Sequence, residues 1–96
     1  MKFIAIWNLK PDVDQVKLAE AMGRRSEWEF PEGVTLLAEY WSPQGDPVVV
    51  DVLECEDTGT LIVNTIGWVD VVESTIFPVV TWEEGLAAIS THLAGE

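Results

Sequence analysis

Three carboxylate side chains stand in the middle of predicted strands, each among apolar neighbours: Glu39, Asp51 and Glu73. A carboxyl group that is buried in an apolar cavity has a raised pKa, because burial disfavours the charged form. Such a group can act as a general base that moves a proton on a bound molecule, as in isomerase-type chemistry. Alternatively, each carboxylate lies at a sheet edge or at the rim of a subunit contact, where it discourages aggregation between strands. Strand register decides between these placements, and the sequence leaves it open.

Tryptophan is abundant, with five in 96 residues, and three of the five lie at the ends of predicted elements: Trp7, Trp41 and Trp68. An indole at such a place can line a cavity for flat hydrophobic molecules while its N–H reaches a polar partner. Packing in the core or at an interface is the alternative role. Asn8, beside Trp7, adds one amide. The predicted binding residues are Trp7, Asn8, Glu39, Trp41, Asp51, Trp68 and Glu73, and no catalytic residue is assigned.

Several other chemistries lack the residues that they need. His92, the single histidine, lies near the end of the last predicted helix, where the helix dipole favours its charged form. No Gly-x-Ser-x-Gly sequence is present to hold the nucleophile of a serine hydrolase. The single cysteine, Cys55, lies between Glu54 and Glu56, whose charges oppose thiolate formation. These residues are too few for a zinc-type site, and neither calcium-loop spacing nor a glycine-rich phosphate loop occurs. We therefore expect no metal and no cofactor.

The charge of the chain is unevenly distributed. The formal net charge is −12, and all five Lys and Arg residues lie within the first 25 positions. So acidic a chain is not expected to bind nucleic acid, because phosphate binding requires clustered cations. Carboxylates without cationic partners repel one another unless salt screens them. The acidity therefore indicates either adaptation to a salty cytoplasm, as in a halophile, or an ordinary acidic surface.

Length and composition are those of one small globular domain, so residues 1–96 are expected to form a single domain. The longest apolar run, Phe3–Trp7, is far too short to cross a membrane. No secretory signal is recognisable at the N-terminus, and one cysteine cannot form an internal disulfide. We therefore expect a cytoplasmic protein that does not bind membranes.

The chain alternates strand-like and helix-like segments. Strands are predicted at 1–9, 34–41, 48–55 and within 69–80. One helix is predicted from an N-cap at Asp12, with Gln15 at the capping-box position, toward Trp28, and another begins at the capping-box sequence of residues 81–84. Helical spacing favours a helix at 58–68, although poor helix formers leave a strand as the alternative. The order β-α-β-β-α-β-α predicts an α+β fold of the ferredoxin-like βαββαβ plan, with a four-stranded antiparallel sheet and an extra C-terminal helix.

Both faces of the predicted sheet are apolar. In the third strand, for example, Val50 and Val52 point to one face while Val49 and Leu53 point to the other. A sheet with one wet face normally alternates polar and apolar residues instead, so the second face needs a cover. A second copy of the chain provides it most economically, because a two-fold contact buries the same patch twice. The alternative cover is the C-terminal helix, which would leave a monomer.

This order of elements and several short motifs resemble the small dimeric α+β barrel superfamily and, within it, an uncharacterised family of unknown function. The motifs are Gly33-Val34, Trp68-Val69-Asp70 and Phe77-Pro78-Val79-Val80, and the resemblance covers roughly residues 1–82. It implies a homodimer with a ligand cavity in each subunit between the sheet and its helices. Members include antibiotic-biosynthesis-type monooxygenases, muconolactone-isomerase-like enzymes, haem-degrading enzymes and stress-induced proteins, so the fold does not fix the function. No histidine matches a haem ligand in a family-like context.

Three functional hypotheses follow. The first is a cytoplasmic homodimer whose apolar pocket binds a small hydrophobic molecule. The second is a cofactor-independent enzyme, monooxygenase-like or isomerase-like, that acts on a small aromatic or polyketide-like substrate with a buried carboxylate as its base. We expect an enzyme to have a cavity of roughly 300 Å³ or more that contains one carboxylate with a shifted pKa. Recognition of the acidic surface by another protein is a third hypothesis.

Overall fold

The structure, a computed structural model, describes residues 1–44 and 46–95. The elements in chain order are β1 (Lys2–Leu9), α1 (Gln15–Ser26), β2 (Thr35–Trp41), β3 (Val49–Glu54), α2 (Thr58–Ile66), β4 (Val72–Val79) and α3 (Trp82–Ala94). The four strands form one antiparallel sheet in the order β2-β3-β1-β4. The predicted α+β fold, with its ferredoxin-like order and additional C-terminal helix, is confirmed.

One face of the sheet carries the core. Along β1, Phe3, Ala5 and Trp7 are buried, whereas the residues between them are half-buried. Directly opposed residues of antiparallel strands share a face. Leu53, opposite Phe3 on β3, is therefore on the same face, and it has no exposed surface. Leu61 of α2 packs into this cluster, so this is the helix-covered face.

A bulge in β2 reverses the alternation of side chains along that strand. Leu36 is opposite Leu53, but the register shifts before Ala38, which is opposite Val52. Because the shift inserts one residue, Glu39 joins Leu36 on the helix-covered face, and so does Trp41. Without the bulge, regular alternation would turn both of these side chains to the opposite face.

The opposite face of the sheet, called the open face below, consists of the even-numbered side chains of β1 and the residues paired with them on β3 and β4. On it, Phe77 is 39% exposed, and Tyr40 of β2, on the same face, is 66% exposed. α3 buries none of its side chains and exposes apolar ones along its length, from Trp82 to Leu93. The radius of gyration, 16.2 Å, exceeds the roughly 12–13 Å of a compact domain of this length. These features indicate that α3 extends away from the sheet and leaves the open face uncovered.

The structure corrects both predicted ends of α1. Asp14, not Asp12, is the N-cap, and its carboxylate accepts a hydrogen bond from the backbone N–H of Lys17 at 2.8 Å. Asp12 instead forms an exposed ion pair with the Lys17 ammonium group at 3.4 Å. The helix ends at Ser26, before Trp28, which leaves the Trp28 indole free to point toward α2.

The other two helices follow their predictions. Residues 58–66 form a helix, not a strand, because Asp57 caps the N-terminus and Leu61 and Asn64 are buried against the rest of the fold. Packing thus overrides the weak helix propensity of this segment. The capping box at the start of α3 is complete, with Thr81 and Glu84 each bonding to the backbone N–H of the other.

Candidate functional site

A half-open cavity lies between the helix-covered face of the sheet and helices α1 and α2. Its volume is about 80 Å³, below the roughly 300 Å³ expected of an enzyme pocket. Most of the lining is apolar, and four indoles contribute to it: Trp7, Trp28, Trp41 and Trp68. Three charged side chains also line the cavity: Arg25, Glu39 and Asp51.

Asp51 is the most deeply buried charged group of the site, with only 5% of the residue exposed. Its Oδ2 accepts a hydrogen bond from the Trp7 indole at 3.0 Å. Its Oδ1 is buried and has no donor among the described residues. Burial, followed by the neighbouring Glu39, raises the pKa of Asp51 to about 7, although Trp7 and Arg25 oppose the shift. At neutral pH this carboxyl group is therefore divided between its protonated and ionised forms.

Glu39 differs from Asp51 because several donors surround it. Arg25 forms an ion pair with it, with Nη2 at 3.2 Å from Oε2 and Nε at 3.3 Å from both carboxylate oxygens. The Trp41 indole donates to Oε2 at 3.0 Å. Burial alone would raise the pKa of Glu39, but hydrogen bonds from Trp41, Asp51 and Arg25 outweigh it and lower that pKa. Glu39 is thus the ionised member of the pair.

Asp51 and Glu39 are directly opposed on β3 and β2, so they act as one acid–base unit. While both are ionised, neither carboxylate can donate to the other. One proton on Asp51 allows it to donate to Glu39, and this hydrogen bond contributes to both pKa shifts. The pair can therefore hold a proton near neutral pH and release it a little above, as proton transfer to a bound molecule requires.

A second wall of the cavity is built from indoles and one amide. Trp28 donates to the side-chain oxygen of Asn64 at 3.0 Å, and its ring lies 5.1 Å from that of Trp68. Arg24 stacks on Trp68 at 5.1 Å and forms a two-pronged ion pair with Asp70 at 2.9 Å. These contacts join α1 to the segment between α2 and β4. They fix the two sides of this wall to each other.

Five of the seven predicted binding residues line the cavity together: Trp7, Glu39, Trp41, Asp51 and Trp68. The other two, Asn8 and Glu73, do not line it. They are opposite each other on β1 and β4, on the open face, where Glu73 is exposed. The side-chain oxygen of Asn8 is buried without a donor among the described residues.

Sequence reasoning missed Arg25, Asn64 and Trp28 as parts of the site. A signal for Arg25 was present, because it follows Leu18 by seven residues and Ala21 by four, the spacing of one helix face. All three side chains line the cavity. Asn64 had no comparable signal, since its position depends on how α2 is placed over the sheet.

Outside the cavity, the cysteine and the potential metal ligands of residues 1–44 and 46–95 do not come together. Cys55 is buried and donates to the backbone oxygen of Asp57 at 3.4 Å. No three His, Cys, Asp or Glu side chains of this part come together as a metal-binding group. No helix in it combines the length and the apolar character that crossing a membrane requires. A wider depression of about 440 Å³ between α2 and the sheet is lined by apolar and hydroxyl side chains.

The sequence matches a family model over residues 1–93, from the start of β1 into the last turn of α3. The match thus includes every strand and every side chain that lines the cavity. No curated protein and no solved structure was found to match the chain. The chain belongs to the family described as Domain of unknown function (DUF3303).

Proposed function

We propose that the cavity binds one small, flat, apolar molecule. The observation that carries this proposal is the combination of four indoles and a buried carboxyl pair around one half-open space. Aromatic walls suit flat hydrophobic molecules, and a few placed polar groups orient them. A cavity that served packing alone would be filled by its own side chains, because protein interiors are close-packed.

The volume of the cavity limits the size of the ligand. About 80 Å³ is smaller than the roughly 150 Å³ of an apolar cavity that encloses benzene, so even a small ring would extend partly through the open side. Met22 and Trp41 line the cavity and are 46% and 48% exposed, which puts them at its mouth. Methionine is unbranched and adapts its shape easily, so movement of Met22 would widen the entrance.

The test uses the indole N–H signals of ¹⁵N-labelled protein during a titration with toluene. Trp7 and Trp41 line the cavity, whereas Trp82 on α3 does not, so it serves as an internal control. We expect saturable shifts of the Trp7 and Trp41 signals and none for Trp82. Ala21 is buried in the cavity wall, and Ala21→Leu should abolish the shifts, whereas Ala19→Leu on the exposed side of α1 should not. Absence of any saturable shift in the unaltered protein would overturn the proposal.

We also propose that the protein functions as a homodimer joined through the open face. Apolar side chains there remain exposed, and α3 does not cover them. Large exposed apolar patches are uncommon on monomers, and a two-fold contact would cover the patches of both copies. Sedimentation equilibrium should give a dimer at micromolar concentration and moderate salt. Phe77→Glu, on the open face, should shift the equilibrium to the monomer, whereas Val16→Glu on α1 should not. A stable monomer of the unaltered protein would refute the dimer.

A second candidate function is catalysis of proton transfer. It is favoured by the raised pKa of Asp51 beside the cavity. Because the cavity is smaller than the roughly 300 Å³ expected of an enzyme pocket, the substrate would have to extend through its open side. Of the two reaction types, isomerase-like chemistry fits better, since it needs only a base. On a small aromatic or polyketide-like substrate, ionised Asp51 would take a proton from the carbon next to a carbonyl group. The C–H electron pair would pass to the carbonyl oxygen as an enolate, and the proton would then return to another position.

Cyclohexanone in deuterated water tests this activity without knowledge of the substrate. The protein should accelerate exchange of hydrogen for deuterium next to the carbonyl, and the rate should rise with pH through about 7, as Asp51 ionises. Asp51→Asn should abolish the acceleration, while Glu73→Gln on the open face should retain it. Equal exchange rates with and without protein would refute catalysis of this kind.

A further inference from the structure

The four oxygens of the Asp51–Glu39 pair receive unequal numbers of hydrogen-bond donors. Both oxygens of Glu39 receive hydrogen bonds from Arg25, and one of them also receives the Trp41 indole. Oδ2 of Asp51 receives the Trp7 indole. Oδ1 of Asp51 is the one oxygen of the four without a donor in the described part of the chain, and it is buried.

A buried acceptor without a donor is costly, so the site requires one more hydrogen. When the pair is protonated, Asp51 supplies that hydrogen itself by donating to Glu39. When the pair has lost its proton, two carboxylates adjoin each other and Oδ1 of Asp51 has no donor. A bound molecule that carries its own donor can then replace the missing hydrogen.

We infer that the molecule recognised by this cavity carries a hydroxyl group of the phenol or enol type, which donates its hydrogen to the Asp51–Glu39 pair. This inference rests on the proposed binding of a small ring compound and specifies its chemical class. The apolar, indole-rich walls favour a flat hydrocarbon ring as the remainder of the molecule. A hydroxyl group needs only one acceptor for its hydrogen, and Oδ1 of Asp51 is the one oxygen of the pair that has no donor among the described residues.

An ammonium group fits the same place less well. It has three hydrogens to satisfy, whereas one oxygen of the pair lacks a donor within residues 1–44 and 46–95 and the surrounding walls are mostly apolar. Burying a charged group without enough partners is expensive. The positive charge that Glu39 attracts is already provided by Arg25 at 3.2 Å. A neutral donor therefore suits the site better than a cation.

Few charges other than the pair itself face this site. The pair itself comes from β2 and β3, α1 contributes the charged side chain of Arg25, and α2 contributes the neutral side chain of Asn64. Among the described residues of β1 and β4, none that lines the cavity is titratable. Protonation of the pair is thus the event that controls whether a hydroxyl donor is needed.

The test compares phenol with toluene, which has the same ring and lacks the hydroxyl group. Both are titrated at about pH 5.5 and about pH 8.5, where phenol itself remains protonated. The Trp7 indole signal serves as the readout, because Trp7 bonds to Asp51. We expect the ratio of phenol affinity to toluene affinity to rise about tenfold or more at the higher pH. Anisole, a methyl ether without a donor, should behave like toluene.

Two variants identify the group responsible. Asp51→Asn carries an amide that can donate to Glu39 and accept from Trp7, as the protonated carboxyl does, so the affinity ratio should become independent of pH. If that variant fails to fold, Glu39→Gln is the alternative, because its amide can donate to Asp51. The affinity ratio of this variant should likewise be independent of pH. Glu73→Gln on the open face, outside the cavity, should retain the pH dependence of the unaltered protein.

The outcomes separate this inference from the proposal on which it rests. If toluene binds but the ratio is the same at both pH values, the hydroxyl inference is wrong and the ring-binding cavity stands. If the affinity for anisole relative to toluene rises with pH as much as that for phenol, the inference is also wrong, because anisole has no hydrogen to donate. If neither phenol nor toluene binds, the proposed ligand-binding function fails as well.

Discussion

Asp51 on β3 and Glu39 on β2 are direct cross-strand partners, and both line the same apolar cavity. Like charges that are directly opposed on neighbouring strands destabilise a sheet. The fold tolerates this arrangement because Arg25 and two indoles surround the pair and because one proton can be shared within it. Such a pair is expected to make stability depend on pH.

The first prediction concerns that dependence. The pKa of Asp51 is about 7 in the folded protein and 3.8 is its ordinary value. A raised pKa contributes stability that is complete below about pH 4 and is lost as the pH rises through about 7. Asp51→Asn lacks this titration. The free energy of unfolding of the variant minus that of the unaltered protein should therefore be larger at about pH 8.5 than at about pH 5, by on the order of 2 kcal/mol.

Urea unfolding at the two pH values measures this difference directly. Glu73→Gln is the matched control, since it removes an exposed carboxylate of β4 and should show no such change with pH. If the stability difference between Asp51→Asn and the unaltered protein is the same at both pH values, Asp51 does not titrate near neutrality.

A second prediction concerns the contact between Trp28 and Gly67. The indole of Trp28 lies so close to the Gly67 backbone that an added Cβ would overlap the ring. The ring is held there by its hydrogen bond to Asn64 and by its contact with Trp68. Gly67→Ala should therefore destabilise the protein by about 1–3 kcal/mol in urea unfolding.

Gly23 provides the comparison for this substitution. It lies within α1, and a Cβ added there meets no atom within 4 Å. Alanine is the better helix former, so Gly23→Ala should stabilise the protein by up to about 1 kcal/mol. Equal effects of the two substitutions would mean that Trp28 does not occupy the space beside Gly67.

Much of the fold can be predicted from local patterns, because alternation, capping residues and turns act over a few positions. The same logic explains the fate of Asn8: it is adjacent to Trp7 in a strand, so the two side chains must point to opposite faces. Burial of Trp7 in the cavity wall therefore excludes Asn8 from it. Glu73 is opposite Asn8 and shares its face.

The position of Glu39 illustrates what local patterns do not contain. Regular alternation from Leu36 would put Glu39 on the open face, and only the bulge before Ala38 turns it toward the cavity. A bulge depends on pairing with β3, a contact between segments distant in sequence. Asn64 likewise joins the site only because α2 lies over the sheet. The carboxyl pair is thus a product of tertiary structure.

A third prediction concerns the ion pair between Arg24 and Asp70. Two hydrogen bonds of 2.9 Å join the side chains, and they hold the pKa of Asp70 below its ordinary value. The Asp70 side chain is 58% exposed, however, so water and salt screen the attraction. Asp70→Asn should cost less than about 1 kcal/mol at low salt, and the cost should shrink in about 1 M KCl. A larger cost that persists in high salt would show that Asp70 has a structural role beyond the ion pair.

The last prediction concerns the acidic surface as a whole. Residues 26–96 contain fourteen carboxylates and no Lys or Arg, and three ion pairs are found in the described part of the chain. Repulsion among the remaining carboxylates should dominate at low salt, and KCl should screen it. We therefore expect the melting temperature to rise by several degrees between about 0.1 M and about 2 M KCl.

A variant with less repulsion separates screening from other effects of salt. Glu29 and Glu32 are both exposed, and Glu29→Lys combined with Glu32→Lys lowers the excess of negative charge by four. At low salt this variant should have a higher melting temperature than the unaltered protein. Its melting temperature should also rise less when KCl is added. The hypothesis of adaptation to a salty cytoplasm requires that the melting temperature of the unaltered protein rise strongly with KCl, because only then does the stability of this acidic protein depend on salt. A melting temperature that does not change with KCl would leave the acidity as an ordinary surface property.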